Sequence, residues 1–172
     1  MKVQAQRSSA GRADRRARNT QRGVRHAAQA GAGLGNARRV FVVEDHPLMR
    51  RSLVEAIERE PDLTVCGQAE DAQEAFAAVV SMRPDLVLTD IQLKSSSGLD
   101  FIKAIRTHAP ALPIVATTMF DVRRTERLAR SAGASSFVAK QDGPGRLIEV
   151  IRESLKHRQP QPKPGESEES RD

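Results

Sequence analysis

Residues suited to metal and phosphoryl chemistry lie within two residues of the ends of short apolar runs along this 172-residue chain. They are, in chain order, an acidic pair, a single aspartate, a threonine pair and a lysine: Glu44 and Asp45, Asp90, Thr117 and Thr118, and Lys140. Ligands of an open parallel sheet bind beyond the carboxyl ends of its strands, where residues in such positions converge. A single aspartate of this kind more often caps a helix or begins a loop. Their recurrence at successive strand ends is what indicates a shared site.

Three carboxylates gathered at one place repel one another and raise one another's pKa values. A divalent cation removes this conflict, and Mg²⁺ typically binds one or two carboxylates together with water and a phosphate. Beside such an ion, one carboxylate is able to act as the nucleophile that becomes an acyl phosphate. The lysine and a threonine hydroxyl then bind the remaining phosphoryl oxygens. The residue pattern therefore favours Mg²⁺-assisted phosphoryl transfer.

Five apolar runs separated by amphipathic stretches indicate the elements that position these residues. The runs are short and β-branched and lack polar alternation, which is typical of strands buried in a parallel sheet. The predicted strands are 40–43, 63–66, 86–88, 114–116 and 137–139. The predicted helices are 47–59, 71–82, 98–107, 122–132 and 144–156. Alternating strands and helices joined by right-handed crossovers predict a doubly wound α/β sandwich.

Composition divides the chain into one folded region and two tails. Residues 1–37 are rich in Arg, Ala, Gly and Ser and poor in large apolar side chains, which predicts a disordered basic tail. Three roles for this tail stay open: a solvated extension, a non-specific anchor for nucleic acid, or a transit peptide. Residues 38–157 are predicted to form the domain, and residues 158–172 a disordered tail rich in Pro, Glu and Ser.

The net charge of +6 comes from the N-terminal region, because residues 1–39 carry ten Lys or Arg and one Asp. No apolar run approaches the roughly 20 residues that a membrane-spanning helix needs. The single Cys66 excludes an internal disulfide and suits a reducing compartment. These observations predict a soluble, cytoplasmic protein without membrane contact.

The motifs VFVVEDHPLMR, DLVLTDIQL, GLDFIKAIR, LPIVATTMF and AGASSFVAK resemble, in this order, the receiver domains of bacterial two-component response regulators. The resemblance covers about residues 38–157. The HPLMR segment is most similar to receivers that precede a helix-turn-helix DNA-binding domain. The resemblance implies a flavodoxin-like, five-stranded parallel sheet of order 2-1-3-4-5 with helices on both faces.

The resemblance also implies a role for each matching residue. Asp90 is the phosphoacceptor, and Lys140 binds the phosphate. The implied Mg²⁺ ligands are Glu44, Asp45, Asp90 and the backbone carbonyl of Gln92. Thr118, with Thr117 as its less suitable neighbour, is the switch hydroxyl, and Phe137 is the aromatic switch residue.

The implied function is that of a phosphoacceptor in a two-component phosphorelay, and not that of an enzyme. A histidine kinase or phosphotransfer protein is the implied phosphoryl donor. An unidentified output protein would bind the face of the fourth helix, fifth strand and fifth helix. A homodimer and weak nucleic-acid binding through the N-terminal tail also stay open.

This chain departs from the family pattern at three points. Leu93 and Lys94 replace a usual Met-Pro pair, and Gln141 replaces a frequent proline. The sequence also predicts no output domain after residue 157.

Three other functions stay open. One is a binding module that is never phosphorylated, and a second is a DNA-binding regulator that uses the Arg-rich tail. The third is an aspartyl-nucleophile hydrolase, which Gln92 argues against because that class needs an acid there.

Overall fold

The computed structural model describes residues 37–119 and 122–156. Apart from residue 37, the predicted tails lie outside the described residues. The five strands are β1 (Arg38–Val43), β2 (Leu63–Ala69), β3 (Leu86–Asp90), β4 (Ile114–Thr118) and β5 (Ser136–Ala139). The five helices are α1 (Pro47–Glu58), α2 (Ala72–Met82), α3 (Gly98–His108), α4 (Val122–Ala132) and α5 (Gly143–Lys156).

The strands form one parallel sheet in the order β2-β1-β3-β4-β5. The predicted order 2-1-3-4-5 is therefore confirmed. Strand order reverses where β1 lies beside β3, and ligands of doubly wound sheets bind at such a switch point. The loops that follow β1 and β3 are thus neighbours at one edge of the sheet.

The hydrophobic core lies on both faces of the sheet because successive strand residues point to opposite sides. On one face, Phe41 and Val43 pack with residues of α2, α3 and α4, including the fully buried Ile105. On the other, Val40 and Val42 pack with residues of α1 and α5, including the fully buried Ile151. Burial on both faces explains why the strands read as continuous apolar runs.

Element boundaries differ from the predicted ones by a few residues. Strand β2 continues to Ala69, three residues beyond the prediction, because a bulge after Val40 lets Gly67 pair with Phe41. Helix α2 begins one residue late because Asp71 is its N-cap and accepts from the backbone of Gln73 at 2.8 Å. A short 3₁₀ turn, Lys140–Asp142, was not predicted.

Within the described ranges, none of the helices has both the length and the apolar character required to cross a membrane.

Candidate functional site

The ends of β1 and β3 carry two buried carboxylates. Glu44 follows β1, and its N–H donates to the carbonyl of Ala69 at 3.1 Å, which continues the pairing with β2. Asp90 is the last residue of β3, and the next N–H, of Ile91, donates to the carbonyl of Thr117 at 3.0 Å. Glu44 is 1% exposed and Asp90 is 7% exposed. The sheet therefore fixes the backbone beneath both acids and keeps most water away from them.

Lys140 lies between these two carboxylates. Its Nζ donates to Oε2 of Glu44 at 2.5 Å and to Oδ2 of Asp90 at 2.6 Å. The lysine side chain is 4% exposed, so all three charged groups are nearly dry. A buried charge without a partner is costly, which makes this shared ammonium the main compensation for both acids.

A third carboxylate, that of Asp45, completes the cluster. One oxygen from each of Glu44, Asp45 and Asp90 lies within 4.8 Å of the other two. Three negative groups thus face one ammonium. Burial raises the pKa of Glu44 above its ordinary value, and the negative charge of Asp90 adds to the rise, while Lys140 opposes it.

Backbone N–H groups orient two of the carboxylates. The N–H of Gln92 donates to Oδ1 of Asp90 at 3.0 Å, so both oxygens of Asp90 have a donor. The N–H of Lys94 donates to Oδ2 of Asp45 at 2.7 Å. Residues on the loop after β3 therefore hold acids from both β1 and β3 in place.

The donor set suits a hard divalent cation. Its members are carboxylate oxygens with excess negative charge, and Mg²⁺ prefers oxygen ligands and few protein groups. The residues fit the predicted ion. Glu44, Asp45 and Asp90 would supply ligands, and the backbone at Gln92 lies next to the Asp90 carboxylate.

The two threonines at the end of β4 differ in their surroundings. Thr117 pairs in register with Asp90, and its hydroxyl donates to the carbonyl of Thr89 at 3.3 Å. Thr118 is completely buried and pairs in register with Ala139, the residue before Lys140. The hydroxyl of Thr117 is thus engaged with the backbone of β3.

Phe137 lies on β5, three residues before Lys140. It is half-buried and packs against the core cluster beneath α2, α3 and α4. The predicted switch roles of Phe137 and Thr118 stay predictions.

Sequence reasoning missed two residues that support the site. A Cβ on Gly98 would clash with the carbonyl oxygen of Asp90 and lie 2.7 Å from Cα of Ile91. Only glycine therefore allows α3 to begin this close to the end of β3. The signal was a glycine at the first position of a predicted helix. The second missed residue is Arg50, whose guanidinium donates to the carbonyl of Glu44 at 2.6 Å.

Comparison with known proteins gives one family. A family model described as "Response regulator receiver domain" matches residues 40–152. The nitrate/nitrite response regulator protein NarP of Escherichia coli is 32% identical over 117 residues, which cover 68% of this chain and 54% of NarP. Protein-glutamate methylesterase/protein-glutamine glutaminase 4 of Myxococcus xanthus is 38% identical over 107 residues, which cover 62% of this chain and 30% of that protein.

Solved structures agree with this match. A two-component response regulator of the LuxR family from Aurantimonas has a TM-score of 0.68 and 32% identity, covering 72% of this chain and 88% of that one. The response regulator domain of Thermotoga maritima CheB has a TM-score of 0.66 and 26% identity, covering 70% and 98%. The chain spans about half of NarP and less than a third of the methylesterase.

Proposed function

This chain belongs to the response regulator receiver domain family of two-component systems, and from that premise we propose that Asp90 accepts a phosphoryl group in a Mg²⁺-dependent reaction. The observation that supports this most is the cluster at the sheet edge. Three carboxylates lie within 4.8 Å of one another, and the ammonium of Lys140 is 2.6 Å from Asp90. The chain would act as a phosphoacceptor that assists its own phosphorylation and dephosphorylation, and not as an enzyme with a separate substrate.

In the proposed reaction, an oxygen of Asp90 attacks the phosphorus of a phosphohistidine on a histidine kinase or phosphotransfer protein. The new O–P bond forms as the P–N bond breaks, and the departing imidazole takes a proton from water. The hydrogen bonds from Gln92 and Lys140 hold the carboxylate in one orientation before the attack. Lys140 then stays beside the transferred group and binds one of its oxygens.

The predicted Mg²⁺ would be held by Glu44, Asp45, Asp90 and the backbone carbonyl of Gln92, and when bound it supplies charge neutralisation for the phosphoryl oxygens. The buried position of Glu44 keeps water from competing for its carboxylate.

Phosphorylation adds roughly −1.5 to −2 charge and new acceptor oxygens to Asp90. We infer that the hydroxyl of Thr118 moves toward these oxygens and that Phe137 follows into the space behind it. The face that responds would be formed by α4, β5 and α5. It carries exposed arginines and the 45% exposed Leu128, which suit an output partner with acidic and apolar groups.

The test is the intact mass of the protein after incubation with acetyl phosphate and Mg²⁺. We expect a mass gain of one phosphoryl group that is absent in Asp90→Asn and in the presence of EDTA. A folded wild-type protein that gains no mass would contradict the proposal and favour a phosphorylation-independent binding module instead.

A further inference from the structure

We propose that Arg50 is a positioning residue that sets the affinity of the carboxylate cluster for a divalent cation. The inference rests on the proposed function, because it assigns a role in that same site. Arg50 lies in the first turn of α1 and makes two short hydrogen bonds. Its Nη1 donates to the backbone carbonyl of Glu44 at 2.6 Å, and its Nη2 to Oε1 of Glu70 at 2.7 Å.

The first of these bonds acts on Asp45 through the peptide plane. The carbonyl of Glu44 and the N–H of Asp45 belong to one rigid planar unit. Holding the carbonyl therefore restricts the direction in which the chain carries Asp45 away from β1. The carboxylate of Asp45 accepts a hydrogen bond from the N–H of Lys94, which lies on the loop after β3. Arg50 thus restrains the backbone at Asp45, and the loop after β3 restrains the Asp45 side chain.

The second bond anchors the guanidinium itself. Glu70 directly follows β2, and the carbonyl of Ala69 accepts from the N–H of Glu44 at 3.1 Å. Arg50 therefore joins helix α1 to the ends of both β1 and β2. Bonds from a charged donor are shorter and stronger than neutral ones, and the planar guanidinium presents several donors in fixed directions.

The neighbouring arginine shows that this arrangement is not a general property of the helix surface. The side chain of Arg50 is 15% exposed, whereas that of Arg51 is 77% exposed. Arg51 bonds to Glu55 one turn along the same helix at 2.7 Å. Such a surface pair contributes little to stability. Arg51 is therefore a matched control of the same charge, one residue away.

The experiment measures Mn²⁺ affinity by the electron paramagnetic resonance signal of the unbound ion. The protein has no Trp or Tyr, so intrinsic fluorescence offers no suitable probe. Outer-shell partners of metal ligands typically contribute 10- to 100-fold to affinity, so Arg50→Met is expected to bind about 10-fold more weakly. We expect Glu70→Ala, which removes the acceptor of the second bond, to bind more weakly as well, and Arg51→Met to match the wild-type affinity.

Chemical rescue separates positioning from loss of fold. In Arg50→Ala, millimolar guanidinium is expected to restore part of the lost Mn²⁺ affinity, while the same addition leaves Arg51→Ala unchanged. Equal affinities in Arg50→Met and Arg51→Met would overturn the inference. If Arg50→Met does not fold, Glu70→Ala decides, because the side chain of Glu70 is 64% exposed; unchanged affinity there would also overturn the inference.

The same samples distinguish this inference from the proposed function. Wild-type protein that binds Mn²⁺ but gains no phosphoryl mass leaves the role of Arg50 intact and contradicts phosphorylation. Wild-type protein that binds no Mn²⁺ overturns both.

Discussion

Lys140 and Glu44 stand 96 residues apart in the chain, yet Nζ of the lysine lies 2.5 Å from Oε2 of the glutamate. The same ammonium reaches Asp90, so a single cation compensates two nearly dry carboxylates. Among the described residues, Lys140 is the cation that bonds to both carboxylates, so the fold and the site depend on the same contact.

Replacing Lys140 with methionine is expected to destabilise the protein in metal-free buffer. Breaking a buried ion pair leaves an uncompensated charge, and we expect a loss of about 3 kcal/mol in the free energy of unfolding. Added Mg²⁺ should recover part of the loss, because it replaces the missing positive charge. Urea unfolding with and without Mg²⁺ measures both effects. Lys156→Met, at the exposed end of α5, is the control, and an equal change in both variants would contradict the prediction.

Gly98→Ala tests the close approach of α3 to the end of β3. The added Cβ would collide with the carbonyl of Asp90, so the chain must shift, with an expected loss of about 2 kcal/mol. We also expect slower phosphorylation by acetyl phosphate, because Asp90 moves with its backbone. Gly145→Ala is the matched control, since no atom lies within 4 Å of its Cβ and alanine favours helix by about 0.8 kcal/mol. A Gly98→Ala protein with the stability and the phosphorylation rate of wild type would contradict this prediction.

Thr118→Ala tests the proposed switch separately from the chemistry. The variant keeps all three carboxylates and Lys140, so we expect phosphorylation of Asp90 to proceed. In wild type, phosphorylation should change amide hydrogen exchange in α4 and β5, and in Thr118→Ala this change should be largely lost. Asp90→Asn shows the exchange pattern without phosphorylation. An identical response in wild type and Thr118→Ala would eliminate this threonine as the coupling residue.

A pH effect on stability is expected from the contact between Asp62 and Arg152. The guanidinium donates to Oδ1 of Asp62 at 2.6 Å and lowers the pKa of that carboxyl below its ordinary value. A lowered folded-state pKa contributes stability above the ordinary pKa of about 3.9, and this stability is lost as the pH falls through the folded value. Asp62→Asn should therefore have a lower melting temperature than wild type at pH 7. This difference in melting temperature should disappear at acidic pH. A difference that persists at pH 2 would indicate packing instead of charge.

Cys66 is expected to react slowly with iodoacetamide. Burial raises the pKa of its thiol, and Sγ lies 3.5 Å from the carbonyl of Val40, so little reactive thiolate forms at neutral pH. The chain has one cysteine, so mass spectrometry reports this site alone. Alkylation in native buffer should be slower than in urea. Equal rates would show that β2 does not protect the thiol.

The fold class and the candidate residues could both be predicted from the amino-acid sequence. Five buried apolar runs alternating with amphipathic segments predict a doubly wound sheet, because period and burial are local properties of the chain. The same locality made Asp90 and Lys140 visible, since each lies within two residues of the end of a run. The motifs supplied the sheet order, which the alternation of elements alone does not contain.

The contacts between side chains became known from the folded structure and not from the sequence. The bulge in β2 and the 3₁₀ turn at Lys140–Asp142 depend on pairing and packing with distant segments. No local sequence pattern therefore predicts them. The guanidinium of Arg50 finds the carbonyl of Glu44 only because α1 folds back over the end of β1. Gly98 must lack a side chain because another strand ends against it. Such contacts join residues whose spacing in the chain carries no information about their distance in space.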